Sequence, residues 1–129
     1  MIWRHRGNRP QKVAGRLLIS DTLNRQWPSV LEAAGFDLTN RLLEFDRAED
    51  DPVFVLRRSA CIVEDDAFAS VACGWSSAER SCELSVLTEA TTPNLHLALR
   101  IQAALVEAGA VVVDDSISEG LAELEQASD

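Results

Sequence analysis

Between Thr92 and Asp115 an amphipathic helix must turn directly into a short apolar strand, and few folds accommodate that unit. Thr92 is a good N-cap, and Pro93 follows at the first helical position, where its missing N–H breaks no bond. Leu97, Ile101, Ala104, Leu105 and Ala108 recur at helical spacing, and Gly109 supplies a left-handed stop. Ala110-Val111-Val112-Val113 then reads as a wholly apolar, buried strand closed by Asp114-Asp115. Such a unit needs a sheet to lie on.

The rest of the chain supplies one. Val13 to Ser20 reads as a first strand, with Val13, Gly15, Leu17 and Ile19 on one face. Ser20 or Asp21 can cap a helix whose apolar stripe is Leu23, Trp27, Val30, Leu31 and Ala34, stopped by Gly35. Pro28 leaves two readings: the helix begins near Asn24, or it is kinked at the proline. Leu42 to Arg47 is a short second strand, and Ala48 to Pro52 an acidic turn. Val53 to Val63 alternates with Val53, Val55, Cys61 and Val63 in one phase, and Arg57-Arg58-Ser59 marks a bulge or turn within it. Phe68 to Trp75 and Cys82 to Thr88 flank a polar loop and predict an antiparallel hairpin. In the second of these, Cys82, Leu84 and Val86 point inward, and Glu83 and Ser85 outward. Ser118 to Gln126 carries a last short helix through Leu121 and Leu124.

The order β-α-β-β-β-β-α-β predicts an α+β fold, with one twisted, mostly antiparallel sheet of five to six strands and two main helices on one face. At 129 residues the length fits a single domain, a basic arm over 1–12 and an acidic body over 13–129. Aromatic residues are only 5% of the chain, with no Tyr, so the core must be built from Val, Leu, Ile and Ala. Cys61, Cys73 and Cys82 have no C-x-x-C spacing and read as reduced core thiols of a cytoplasmic protein. No stretch reaches the roughly 18 apolar residues of a membrane helix, and no apolar signal segment precedes Lys12.

Charge is distributed unevenly. The net charge is −9, yet residues 1–16 hold Arg4, Arg6, Arg9, Lys12 and Arg16 with no acid, a charge of +5. The remainder carries seven Arg and all 21 acids, a charge of −14. Such a body repels nucleic acid and anionic membrane, and neither is expected as a partner. It attracts basic proteins and speeds their encounter; solubility alone is the blander account.

Signatures of catalysis are sparse. Gly74-Trp75-Ser76-Ser77-Ala78 lacks the second glycine of a nucleophile elbow. His96 lies opposite the apolar stripe of its helix and reads as a solvated residue. The Cys and His spacing closes no zinc site, and there is no P-loop or G-x-G-x-x-G. The enzymatic alternative is Mg²⁺-dependent phosphoryl handling by strand-end aspartates, Asp21 and Asp114-Asp115. It lacks a D-x-D motif, and the sole lysine, Lys12, precedes the first strand. The simpler assignment is a helix cap for Asp21 and a turn for Asp114-Asp115. No catalytic residue, metal ligand or cofactor is expected.

Surface charge remains. The candidate binding residues are the acids Glu44, Asp46, Asp50, Asp51, Glu64, Asp65, Asp66 and Glu83, with Arg57 and Arg58 fixing register. In size, charge balance and element order, across most of its length, the chain resembles the immunity proteins of bacterial polymorphic toxins, including those of contact-dependent growth inhibition. The resemblance implies a protein that binds a cognate toxin, typically a basic nuclease domain, and blocks its active site or substrate entry. It carries no shared motif, so no site residue transfers by it. A third reading is a small ligand-sensing regulatory domain of ACT-like style, paired through a sheet edge.

Overall fold

A computed structural model describes residues 12–38, 43–44, 54–76 and 80–127, with 43–44, 54–58 and 76 described by strand pairing alone. The arm over 1–11, the acidic turn at 48–52 and most of the Leu42–Arg47 strand lie outside the described residues. The elements are β1 (Lys12–Ile19), α1 (Asp21–Ala33), β2 (Leu43–Glu44), β3 (Phe54–Glu64), β4 (Ala67–Ser76), β5 (Ser81–Glu89), α2 (Thr92–Glu107), β6 (Val111–Asp115) and α3 (Ser116–Ala127). The expected α+β class holds, with one antiparallel sheet in the order β2-β3-β4-β5-β1-β6. The described helices number three rather than two, because the last stretch runs as a full helix from Ser116.

Each helix is set by its ends. The Ser20 hydroxyl accepts the Leu23 N–H at 3.1 Å, so α1 starts at Asp21 and Pro28 lies inside it. A start near Asn24 is therefore excluded; the Asn24 N–H already bonds to the Ser20 carbonyl at 2.8 Å. Pro28 is tolerated because α1 is held by packing, with Leu23, Trp27, Pro28 and Leu31 buried. The helix stops in a Schellman motif: Gly35 adopts φ 101°, and the Phe36 N–H reaches the Leu31 carbonyl at 3.0 Å. Helix α2 ends the same way, with Gly109 at φ 115° and the Ala110 N–H on the Leu105 carbonyl at 3.0 Å. Its N-cap is Thr91, one residue before the threonine the sequence suggested, with Pro93 one position further in.

The core lies between the helices and one face of the sheet. Leu17 and Ile19 of β1, Ile62 of β3, Val71 and Cys73 of β4, and Leu84 and Val86 of β5 meet Trp27, Leu31, Leu97, Ile101, Leu105 and Ile117. Burying each large apolar side chain contributes roughly 1.5–3 kcal/mol, so this layer dominates the stability. In β3, Ala60 and Ile62 face the core, while Cys61 is half-buried and Val63 is 45% exposed. Both phases of β3 are apolar, and pairing decides between them. Cys61 lies opposite Ser70 and Val63 opposite Phe68, on the face the helices leave open. The bulge expected at Arg57 is present, as a register shift between Leu56 and Arg58.

The larger departure is β6. Among the described residues it pairs with β1 alone and forms an edge of the sheet. The run expected to be buried leaves Val111 60%, Val112 36% and Val113 41% exposed. Among the described residues no helix is long and apolar enough to cross a membrane.

Candidate functional site

The ten residues singled out from the sequence do not form one described surface. Asp46, Asp50 and Asp51 lie outside the described residues. Glu44 and Arg58 are known as register partners across β2 and β3, and Arg57 as the bulge residue, with nothing further described of their side chains.

Of the remaining four, two are structural. Glu83 points away from the helices as expected, yet it is only 4% exposed. It lies in register between Gly74 and Leu18, and Arg16 reaches it from the next strand. The Arg16 Nε donates to Glu83 Oε2 at 3.0 Å and its Nη2 to Oε1 at 2.7 Å, a two-point pair that fixes both groups. Outward direction on a strand did not mean solvent exposure here, because the long Arg16 side chain closes over the carboxylate. Glu64 pairs with Arg100 of α2, whose guanidinium also stands 5.5 Å from the Phe36 ring centre. That contact ties the end of β3 to the helix layer.

Asp65 and Asp66 are exposed, in the tight β3–β4 turn. Asp65 has φ 40°, a left-handed conformation that aspartate tolerates better than most residues.

The strand-end aspartates of the enzymatic alternative are separated. In a parallel sheet, strand C-termini gather at one end. Here β1 and β6 are antiparallel, so Asp114 faces Arg16, whereas Asp21 follows Ile19 at the opposite end of β1. Three strand residues alone keep them about 10 Å apart. Local bonds also occupy Asp114 and Asp115. Asp114 Oδ1 accepts from the Ser116 N–H and hydroxyl at 3.1 and 2.7 Å. Asp115 Oδ1 accepts from Gln102 Nε2 and the Ser118 N–H, each at 3.3 Å. These are the turn and the cap that begin α3, as the simpler assignment had it.

Nucleophile and base are equally dispersed. His96 is exposed on α2. Cys82 pairs with Ile19 at one end of the sheet, whereas α2 begins beyond Glu89 at the other. Cys73 is fully buried and donates to Asn24 Oδ1 at 2.9 Å. Among the described residues no three His, Cys, Asp or Glu side chains are grouped to hold a metal ion. A cavity of about 340 Å³ opens between the C-terminal ends of α1 and α2, lined by Val30, Ala33, Ala34, Ala104, Glu107 and Ala108. Glu107 is its one charged wall residue, so the cavity lacks the converging polar groups that orient a small substrate.

The acids of the C-terminal unit lie outside the ten candidate residues. After Arg100 the chain has no Lys or Arg, but Glu107, Asp114, Asp115, Glu119, Glu123, Glu125 and Asp129. The end of α2, the β6 edge and α3 thus share one sign of charge. In the fold Glu107 precedes β6, Asp114 and Asp115 end it and Glu119 follows it, with Arg16 of β1 in register opposite Asp114. Comparison with protein-family models, with characterised proteins and with solved structures finds no match to this chain.

Proposed function

We propose that this chain is an immunity-type binding protein that neutralises a basic partner, the nuclease domain of a bacterial toxin being the expected class. The observation that carries the reading is the charge of the C-terminal unit: seven acids and no base after Arg100, on a framework whose reactive groups are held apart. A one-signed surface of this kind raises the encounter rate with a basic protein. Exposed apolar side chains at its centre then supply contacts that slow dissociation.

The test is a binding titration against the C-terminal domain of the secreted protein encoded beside this chain. The expected result is a complex that weakens at least tenfold from 50 to 500 mM NaCl and protects cells expressing the toxin domain. Absence of both binding and protection for every adjacent secreted product would sink the reading. The separation of Asp21 from Asp114 along β1 supports this reading over the Mg²⁺-dependent alternative.

A further inference from the structure

Strand β6 is an open edge with an unusual composition. Val111, Val112 and Val113 are all more than one-third exposed, and among the described residues the strand pairs only with β1. Exposed apolar edges invite strand pairing, and proteins ordinarily blunt them with Lys, Pro or a covering element. Among the described residues the edge has none of these, and its one blunting device is a bulge at Val113, between the Leu17–Val112 and Arg16–Asp114 pairs. Acids bracket it instead. Exposed Glu107 ends the helix just before the strand, Asp114 and Asp115 end the strand, and exposed Glu119 follows in the first turn of α3.

From this arrangement we infer that β6 is the docking edge for an extended segment of a basic protein, which adds to the sheet as a seventh strand beside β6. The inference rests on the neutralising reading above and names the surface it uses. Backbone N–H and C=O groups along β6 supply the pairing, and alternate side chains supply selectivity. Charge defines the occupant: apolar at its centre to cover the valines, with Lys or Arg at both ends to meet Glu107 on one side and Asp114 and Asp115 on the other. Five residues of strand span about 17 Å, enough for such a segment.

A second copy of this chain is a poor occupant by the same criterion. Antiparallel pairing about Val112 sets Asp115 opposite Gly109 of the other copy, two residues from its Glu107. Carboxylates then meet at both ends with no base among them.

The probe is a capped synthetic peptide, Lys-Lys-Val-Thr-Val-Lys-Lys, against the full chain, with amide hydrogen exchange followed by NMR. Exchange at Val111–Asp115 should slow at least tenfold at saturation. The same peptide N-methylated at alternate residues keeps its charge but cannot pair, and should bind at least tenfold more weakly. Val113→Lys should weaken binding at least tenfold; Val113→Thr, which keeps the strand, should weaken it less, with both variants checked for an unchanged fold by circular dichroism. Equal affinity for the methylated peptide, or protection confined to other acidic segments, overturns the inference. So does sedimentation showing a dimer that Val113→Lys dissociates. A chain that binds the toxin domain while β6 stays unprotected refutes the edge and leaves the neutralising reading intact. Peptide pairing on β6 with no toxin bound supports the edge and refutes that reading.

Discussion

Gly15→Ala tests how β1 is joined to the C-terminal elements. Gly15 faces the helices, and the Gln102 amide of α2 lies directly over it. A Cβ at Gly15 would stand 1.8 Å from Gln102 Oε1, 3.0 Å from its Cδ and 3.2 Å from Ile117 Cγ1. Gln102 cannot simply swing aside: it is 4% exposed, and its Nε2 bonds to Asp115 Oδ1. Its Oε1 is buried without a hydrogen-bond partner, so the carbonyl sits there because of the Asp115 bond at the other end of the amide. Overpacking of a core site costs about 1–3 kcal/mol, and losing a bond to a charged group adds about 1.5–3 kcal/mol. Replacing a strand glycine returns about 0.5–1 kcal/mol. The net expectation is a loss of about 3 kcal/mol. For 129 residues that lowers Tm by about 10 °C. Urea denaturation of the four proteins in the cycle with Gln102→Ala measures it. In the Gln102→Ala background the clash is gone, and Gly15→Ala should change stability by no more than about 0.5 kcal/mol, leaving a coupling of about 2–3 kcal/mol. An equal loss in both backgrounds would refute the assignment of the clash to Gln102.

Three further perturbations follow from single contacts. Arg16→Met should cost about 2–4 kcal/mol by chemical denaturation, because Glu83 is left buried and unpaired, whereas Arg16→Met with Glu83→Leu should recover most of that loss. Ser20→Ala should cost about 1 kcal/mol through loss of the α1 cap, while Ser20→Asp should be near neutral in the same assay. Asn94→Leu strands the Phe68 N–H, now bonded to Asn94 Oδ1 at 2.8 Å, and the Glu89 carbonyl, now bonded to Nδ2 at 3.2 Å. It should cost about 2–3 kcal/mol and speed amide exchange at Phe68 in particular.

Local features were readable from the chain, and long-range ones were not. Gly35 and Gly109 announce helix ends because little else adopts their backbone angles so readily. The cap of α2 moved from Thr92 to Thr91 because adjacent threonines differ only in which hydroxyl reaches a helical N–H. For β3, apolar residues in both phases left the inward face undetermined until β4 fixed the register. The valines of β6 look like a buried strand because an apolar run carries no record of how many neighbours it will have. Strand order, with β1 between β5 and β6, made this strand an edge. Glu83 and Glu64 look like free surface charge for the same reason: Arg16 and Arg100, which neutralise them, are distant in sequence. Of the candidate acids, Glu83 and Glu64 are thus occupied by ion pairs within the fold.

The place of β1 between β5 and β6 has a consequence for synthesis. Gly15 lies between Val86 and Asp115, so β1 is flanked by two strands made well after it. At roughly 5–20 residues per second, the ribosome needs roughly 4 to 14 s to pass from the end of β1 to the end of β5. Throughout that interval Leu17, Leu18 and Ile19 have no sheet to join, and a nascent chain stalled before Ser81 should depend on chaperones in a way the finished protein does not.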